Sequence, residues 1–150
     1  MDRFAIFHQR APYLIRALMA HFPGLKDFQA AGVAGNLGHE SNGLTELREK
    51  GQPEGYGGYG YAQWTGPRHR SFVAWCAANK LDWRSDAGNV GYLIHELKSD
   101  YAACIRALMH AENLEQAVVS FERTFERAGV VAMASRLHWA ERALNAYRGR

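Results

Sequence analysis

The chain has 150 residues, of which 47% are hydrophobic and 22% are charged, which predicts one soluble globular domain over residues 1–150. This composition excludes a disordered chain and a disulfide-rich miniprotein, and no apolar run is long enough for membrane insertion. The net charge of +3 attracts polyanions, but the scattered basic residues do not predict a nucleic-acid groove, so no nucleic-acid partner is expected.

The spacing of apolar residues predicts a mainly α-helical fold. Pro12 suits the first turn of a helix that runs to about His21. Asp27 is a suitable cap for a second helix that reaches about Glu40. Residues 41–63 then interrupt the helical pattern with glycines and tyrosines, which predicts a loop with a short hairpin around residues 55–61.

Five further helices are predicted in the second half of the chain. Their expected starts are Thr65 with Pro67, Asp86, Tyr101, Asn113 and Ala132. Gln116 lies three residues after Asn113, as in a capping box, and Gly129 is placed where a C-terminal cap belongs.

Three glycines lie in the interior of the second predicted helix, where glycine is unfavourable. Gly32, Gly35 and Gly38 recur every third residue, and each costs up to about 1 kcal/mol relative to alanine in a helix interior. They indicate either close packing against another helix or backbone access for a ligand.

Glu40 is the candidate catalytic acid. It continues the helical stripe of Val33 and Leu37, so its carboxyl is expected against apolar neighbours at a helix C-terminus. Both surroundings disfavour an ionised acid, and a protonated carboxyl is what general-acid catalysis requires. The alternative is that the helix frays here and the side chain turns into water.

Residues 55–68 read GYGGYGYAQWTGPR, which combines glycines with aromatic and amide side chains. Glycines allow a ligand close to the backbone, and tyrosine and tryptophan offer apolar faces with a polar edge, as sugar rings require. The alternative is a flexible loop whose tyrosines fold onto the core.

These segments together resemble a known family. The run Gly35-Asn36-Leu37-Gly38-His39-Glu40-Ser41 resembles the Glu-Ser signature of the phage tail-type lysozymes, within the lysozyme-like superfamily. Residues 47–49 resemble that family's short acidic motif, residues 57–68 its Gln-Trp-Thr-Gly motif, and residues 92–97 and 121–129 its later helices. A looser match, Glu40-Ser41 followed by Tyr61-Ala62-Gln63, is similar to goose-type lysozymes and lytic transglycosylases, although Asn42 departs from their usual Ser-Gly.

The resemblance implies a lysozyme-like helical domain with a small hairpin beside the active-site cleft. It implies a muramidase that cleaves the β-1,4 bond between N-acetylmuramic acid and N-acetylglucosamine in peptidoglycan, with Glu40 as general acid and no metal or cofactor. The residues of these motifs that we expect to bind the sugar are Ser41, Tyr59, Tyr61, Gln63, Trp64 and Arg68.

The second carboxylate is harder to assign. Two-carboxylate glycosidases place the pair about 5–5.5 Å apart for retention or about 6.5–9.5 Å for inversion. Glu46, Glu49 and Glu54 are the candidates, and Glu49 is preferred because it lies in the acidic motif, although it is equally a solvated loop charge. If none is suitably placed, a lytic transglycosylase with Glu40 as sole acid and base is favoured.

Three other interpretations concern function, oligomeric state and export. A non-catalytic peptidoglycan-binding or secretion-accessory module retains the fold but leaves glycan strands intact. A monomer that acts in the periplasm or cell wall is expected. The first residues carry no basic-then-apolar signal, which predicts release through a holin lesion, a phage tail or a dedicated secretion system.

Four further side chains have structural interpretations. Cys76 and Cys104 are predicted to be buried free thiols rather than a disulfide. Glu122 and Glu126 lie one helical turn apart and are assigned to a solvated face, with the alternative that one of them forms a hydrogen bond in the cleft.

Overall fold

Residues 2–150 are described by a computed structural model, and in this range seven α-helices and one π-helix form the fold. The helices are α1 (Arg3–His21), α2 (Asp27–Glu40), α3 (Gly66–Ala78), α4 (Asp86–Lys98), α5 (Ala102–Leu108), α6 (Leu114–Phe121), the π-helix (Glu122–Glu126) and α7 (Met133–Arg148). The domain is mainly α-helical, as the sequence predicts. None of these helices combines the length and apolar character that crossing a bilayer requires.

Helix α2 is the centre of the fold. Every residue from 29 to 38 is buried, and the helix packs chiefly against α7 and α6 and also against α1. A Cβ atom at Gly35 would lie 2.5 Å from the carbonyl oxygen of Arg136, and one at Gly32 would lie 2.7 Å from the Cβ of Ala117. Close helix packing is therefore the reason for these two glycines.

The first helix is longer than predicted. It begins at Arg3, with the Asp2 side chain accepting a hydrogen bond of 2.9 Å from the amide of Ala5, and Pro12 lies inside it. The prediction that Pro12 occupies the first turn is wrong. A proline in a helix interior costs about 3 kcal/mol, and burial of the helix face lined by Phe7 and Leu14 offsets that cost.

The glycine- and tyrosine-rich segment forms a compact loop between α2 and α3. Its pairing is limited to two single antiparallel bridges, Arg48 with Tyr59 and Tyr59 with Trp64. Tyr59 and Trp64 exchange two backbone hydrogen bonds of 2.9 Å each. The predicted hairpin is thus reduced to single bridges, and the two residues that pair with Tyr59 lie outside the predicted range of 55–61.

The segment after α6 ends differently from the prediction. The chain passes from α6 into the π-helix, which is terminated by Arg127 in the left-handed region at φ 48°. Gly129 therefore does not cap this helix. The start of α6 agrees better with the prediction, because the Asn113 side chain accepts a hydrogen bond of 2.9 Å from the backbone amide of Gln116.

The two cysteines are buried and free, as predicted. Burial raises the pKa of Cys76 to about 11. Burial also raises the pKa of Cys104. Both thiols therefore remain protonated and unreactive at neutral pH.

Candidate active site

Glu40 is the last residue of α2 and lines a cavity of about 440 Å³ in front of the compact loop. The loop supplies the other acidic residues of the wall, Glu46 and Glu49, together with the amide of Gln63. The C-terminal end of α2, held in place by the buried part of that helix, thus presents the Glu40 carboxyl to a cavity that two other carboxyls, those of Glu46 and Glu49, also line. A carboxyl that lines a cavity can exchange a proton with a bound molecule, as general-acid chemistry requires.

The surroundings of Glu40 are not the apolar ones that its helical stripe predicts. Its Oε1 accepts a hydrogen bond of 2.7 Å from Nη2 of Arg136, a residue of α7 that is only 1% exposed. Arg136 also donates to Oδ1 of Asn36 at 3.2 Å and to the carbonyl oxygen of Val131 at 2.7 Å. The guanidinium is therefore held on three sides and fixes the orientation of the Glu40 carboxyl.

The three candidates for the second carboxylate have different positions. Glu46 pairs with Lys50 at 3.0 Å and accepts a hydrogen bond of 3.0 Å from Asn42, and these contacts, Lys50 foremost, lower the pKa of Glu46. Glu49 is exposed and shares the cavity with Glu40, whereas Glu54 is exposed and does not line it. Glu46 and Glu49 thus remain candidates, and the position of Glu54 does not support that role.

Gln63 lies on the cavity wall, and its side chain also braces the loop. Its Nε2 donates to the carbonyl oxygens of Glu46 at 3.0 Å and Gly60 at 2.9 Å, while its backbone is in the left-handed region at φ 53°. Because both amide hydrogens bond to the backbone, Oε1 is the atom that Gln63 can offer to a ligand as an acceptor.

Four predicted sugar-binding residues are buried in the core rather than exposed on the cavity wall. They are Ser41, Tyr59, Tyr61 and Trp64. The hydroxyl of Ser41 donates to the carbonyl oxygen of Leu37 at 2.7 Å, and that of Tyr61 donates to Asp86. Burial raises the pKa of Tyr61 above its ordinary value. The prediction that these four side chains bind the sugar is corrected, because their surfaces are covered by protein.

Arg68 contributes to a second cavity, of about 1090 Å³, next to α3, α4, α5 and the π-helix. Its Nε and Nη2 donate to both carboxylate oxygens of Glu96, at 3.0 Å and 2.9 Å. The guanidinium lies 4.2 Å from the ring centroid of Tyr101 and 4.6 Å from that of Phe125. The guanidinium of Arg68 is therefore largely engaged by Glu96, and this contact does not support the predicted role of Arg68 in binding the sugar.

Sequence reasoning missed the role of Glu96. This buried carboxylate also accepts a hydrogen bond of 2.8 Å from Nε1 of Trp64, so it ties α4 to α3 and to the loop. Among residues 2–150, no cluster of three or more histidine, cysteine or acidic side chains suits a metal ion. The signal for Glu96 in the sequence was the pair Trp64 and Arg68, because a buried indole N–H or guanidinium requires a hydrogen-bond acceptor.

The assignment of Glu122 and Glu126 to a solvated face is wrong. One carboxylate oxygen of each, Oε2 of Glu122 and Oε1 of Glu126, is fully buried with no hydrogen-bond partner among the described residues. Burial, and after it the charge of Glu40, raises the pKa of Glu126 well above its ordinary value. The signal was available, since Glu122 follows Val118 by four residues on the apolar face of α6.

The helical fold and the helix-end carboxyl in a cavity define a lysozyme-like domain. The family model for phage tail lysozyme matches residues 9–147, and the chain belongs to this family. A search of curated proteins finds no match. Membership assigns the chain a role in degrading peptidoglycan at the bacterial cell wall.

Proposed function

We propose that the chain is a muramidase that hydrolyses the β-1,4 bond between N-acetylmuramic acid and N-acetylglucosamine, with Glu40 as general acid and Glu49 as second carboxylate. One observation carries this proposal: Glu40 ends the buried helix α2 and shares a cavity with Glu49. Membership of the phage tail lysozyme family supports the choice of substrate.

In the proposed reaction the Glu40 carboxyl donates its proton to the glycosidic oxygen as the bond to the muramyl C1 breaks. A water oxygen then bonds to C1 and gives up a proton, which Glu49 accepts. Arg136 does not touch the substrate. It donates to Oε1 of Glu40 and so stabilises the carboxylate that remains when the proton has left.

The exposed position of Glu49 favours a second candidate function, that of a lytic transglycosylase. In this reaction the 6-hydroxyl oxygen of the muramyl residue attacks C1, and its proton passes to the Glu40 carboxylate. The product carries a 1,6-anhydro ring, and one carboxyl suffices as acid and then base.

Mass spectrometry of the products from purified peptidoglycan tests both candidates. A muramidase releases fragments with reducing muramyl ends, a transglycosylase releases 1,6-anhydro ends, and a non-catalytic binding module leaves the strands intact. Glu40→Gln should reduce turnover by about 10²–10⁴-fold. Retention of more than about a tenth of the wild-type rate would contradict the role of Glu40 as the acid.

Matched variants in the loop separate the two reactions. Glu49→Gln should reduce the formation of reducing ends by about 10²-fold or more if Glu49 is the second carboxylate. Glu54→Gln is the control, because Glu54 lies in the same loop and does not line the cavity. An active Glu49→Gln enzyme with anhydro products would assign the transglycosylase reaction.

A further inference from the structure

The first turn of α7 carries Arg136 but has no cap of its own. Its N-cap residue is Ala132, whose methyl group cannot accept a hydrogen bond from the first backbone N–H groups of the helix. The first turn also lacks an acidic residue that would stabilise the helix start. The position of Arg136 therefore depends on contacts that this turn makes with other elements.

Two adjacent residues at the end of α2 supply such contacts. The Glu40 carboxyl accepts the hydrogen bond of 2.7 Å from Arg136, and Nδ1 of His39 shares a hydrogen bond of 2.8 Å with Oγ of Ser135. Ser135 directly precedes Arg136, as His39 directly precedes Glu40. The bond between His39 and Ser135 thus fixes the turn of α7 from which Arg136 extends.

His39 has no place on the wall of the cavity that Glu40 lines. Its side chain is half-buried, and Nδ1 is bonded to α7. An imidazole in this position can affect the chemistry at Glu40 through Ser135 and Arg136, without touching the substrate.

The neutral imidazole is the form that fits this position. Burial, and after it the positive charge of Arg136 on α7, lowers the pKa of His39, and the opposing effect of Glu40 on its own helix is smaller. His39 therefore stays neutral to lower pH than an exposed histidine, whose pKa is about 6.5. Protonation would place an imidazolium beside the guanidinium of Arg136, and the two cations would repel each other.

We propose that His39 is a positioning residue of the candidate site: its hydrogen bond to Ser135 holds the first turn of α7 against the end of α2 and so keeps Arg136 on the Glu40 carboxyl. This inference rests on the proposed function and deepens it. In that reaction Arg136 stabilises the carboxylate that remains once Glu40 has given up its proton, so a displaced Arg136 raises the barrier to proton transfer.

Four variants test the hydrogen bond, each first checked for folding by a thermal melt. His39→Leu and Ser135→Ala each remove one partner, and both should lose about tenfold in kcat at about pH 7 with KM close to wild type. The double variant should lose no more than either single one, because both changes break the same bond. His39→Asn keeps a polar atom near the place of Nδ1 and should retain most of the wild-type kcat.

His110→Leu is the matched control, because His110 is exposed on the turn after α5, and kcat should stay close to wild type. The pH dependence separates positioning from a merely structural role. Asn cannot be protonated in this range, so the ratio of kcat for His39→Asn to kcat for wild type should rise as pH falls from about 7 to about 5. The other titrating groups are common to both proteins and cancel in this ratio.

A measurement independent of cleavage keeps this inference distinct from the proposed function. The NMR signal of the Arg136 Nε–H group should shift in His39→Leu and Ser135→Ala and stay in place in His110→Leu. Three results would overturn the inference: wild-type kcat in His39→Leu, a kcat ratio that is independent of pH, or an unchanged Arg136 signal in His39→Leu. A wild-type protein that cleaves no glycan would contradict the proposed function, and the Arg136 signal would still show whether His39 holds that residue.

Discussion

Arg136 joins α7 to the end of α2 through a hydrogen bond of 2.7 Å from Nη2 to Oε1 of Glu40, between residues 96 positions apart. The same guanidinium bonds Asn36 and the carbonyl oxygen of Val131. The catalytic candidate is thus positioned by a buried cation on another helix. Both the stability of the fold and the geometry of the site should depend on that cation.

Arg136→Met should lower the free energy of unfolding by about 2–4 kcal/mol. The substitution leaves the Glu40 carboxylate, Asn36 Oδ1 and the Val131 carbonyl without their shared donor. Arg136→Lys should recover only part of the loss, because an ammonium cannot reproduce the three directions of the guanidinium. Denaturant unfolding measures all of these changes.

Arg106→Met is the control for this prediction, because Arg106 is exposed on α5. Its effect should stay within about 0.5 kcal/mol. If the Arg136 and Arg106 variants unfold at the same denaturant concentration, the three hydrogen bonds of Arg136 contribute nothing measurable to the fold.

Glu126→Gln should raise stability near neutral pH. Since burial raises the pKa of Glu126 well above its ordinary value, the unfolded chain loses this proton at lower pH than the native one. The penalty therefore starts as pH rises through the unfolded value of about 4.3 and grows until the folded pKa is passed. A neutral amide escapes that penalty.

Unfolding curves of wild type and Glu126→Gln at about pH 4 and about pH 7 measure the difference, which should be larger at the higher pH. The comparison at low pH is the internal control, because there the carboxyl is largely protonated in both states. A difference that is independent of pH, or that favours wild type at the higher pH, would mean that Glu126 is already paired or solvated.

Features that depend on neighbouring residues could be predicted from the sequence. Helix α2 ends at the predicted Glu40 and Thr65 precedes α3 as expected, since capping residues and apolar periodicity act within a few positions. The predicted cap of α2, Asp27, is instead its first residue, and Lys26 is the N-cap. The same periodicity placed Glu40 at the end of a buried helix. Pro12 was misplaced because tertiary packing overrides local preference.

Contacts between distant segments could not be predicted in this way. The residues next to Glu40 in the sequence do not indicate that Arg136 binds it. The aromatic residues of the loop are equally compatible with a sugar-binding surface and with a place in the core. The structure has Trp64 against Phe72 and Tyr92, with ring centroids 4.5 Å and 5.0 Å apart. Which aromatic faces are covered depends on α3 and α4, and the loop sequence does not contain that information.

Trp64→Phe should cost about 1–3 kcal/mol of stability. Phenylalanine keeps most of the apolar contact but cannot donate the hydrogen bond that Trp64 Nε1 makes to Glu96 at 2.8 Å. Trp83→Phe is the control, since the Trp83 side chain is partly exposed, and it should cost less. If the Trp64→Phe protein is as stable as wild type but binds glycan oligomers more weakly, Trp64 contacts the sugar and the assignment of its side chain to the core is contradicted.

Gly35→Ala should destabilise the fold and reduce turnover together. The added methyl group would lie 2.5 Å from the carbonyl oxygen of Arg136 and 2.7 Å from the Cα of Ala140, so the backbone of α7 must move away from α2. Alanine gains up to about 1 kcal/mol in helix propensity, but overpacking costs about 1–3 kcal/mol, so we expect a net loss. The displacement also moves Arg136 relative to Glu40.

Gly129→Ala provides the matched control for Gly35→Ala. A Cβ at Gly129 would meet nothing within 4 Å, so this variant should keep wild-type stability and turnover. Thermal melts and rates of peptidoglycan cleavage, measured on both variants, separate the two effects of the Gly35 change. If Gly35→Ala melts like Gly129→Ala, the contact between α2 and α7 is loose enough to admit a methyl group. If it is destabilised but cleaves at the wild-type rate, α7 moves without disturbing the Glu40 carboxyl, and Arg136 is then not needed to position it.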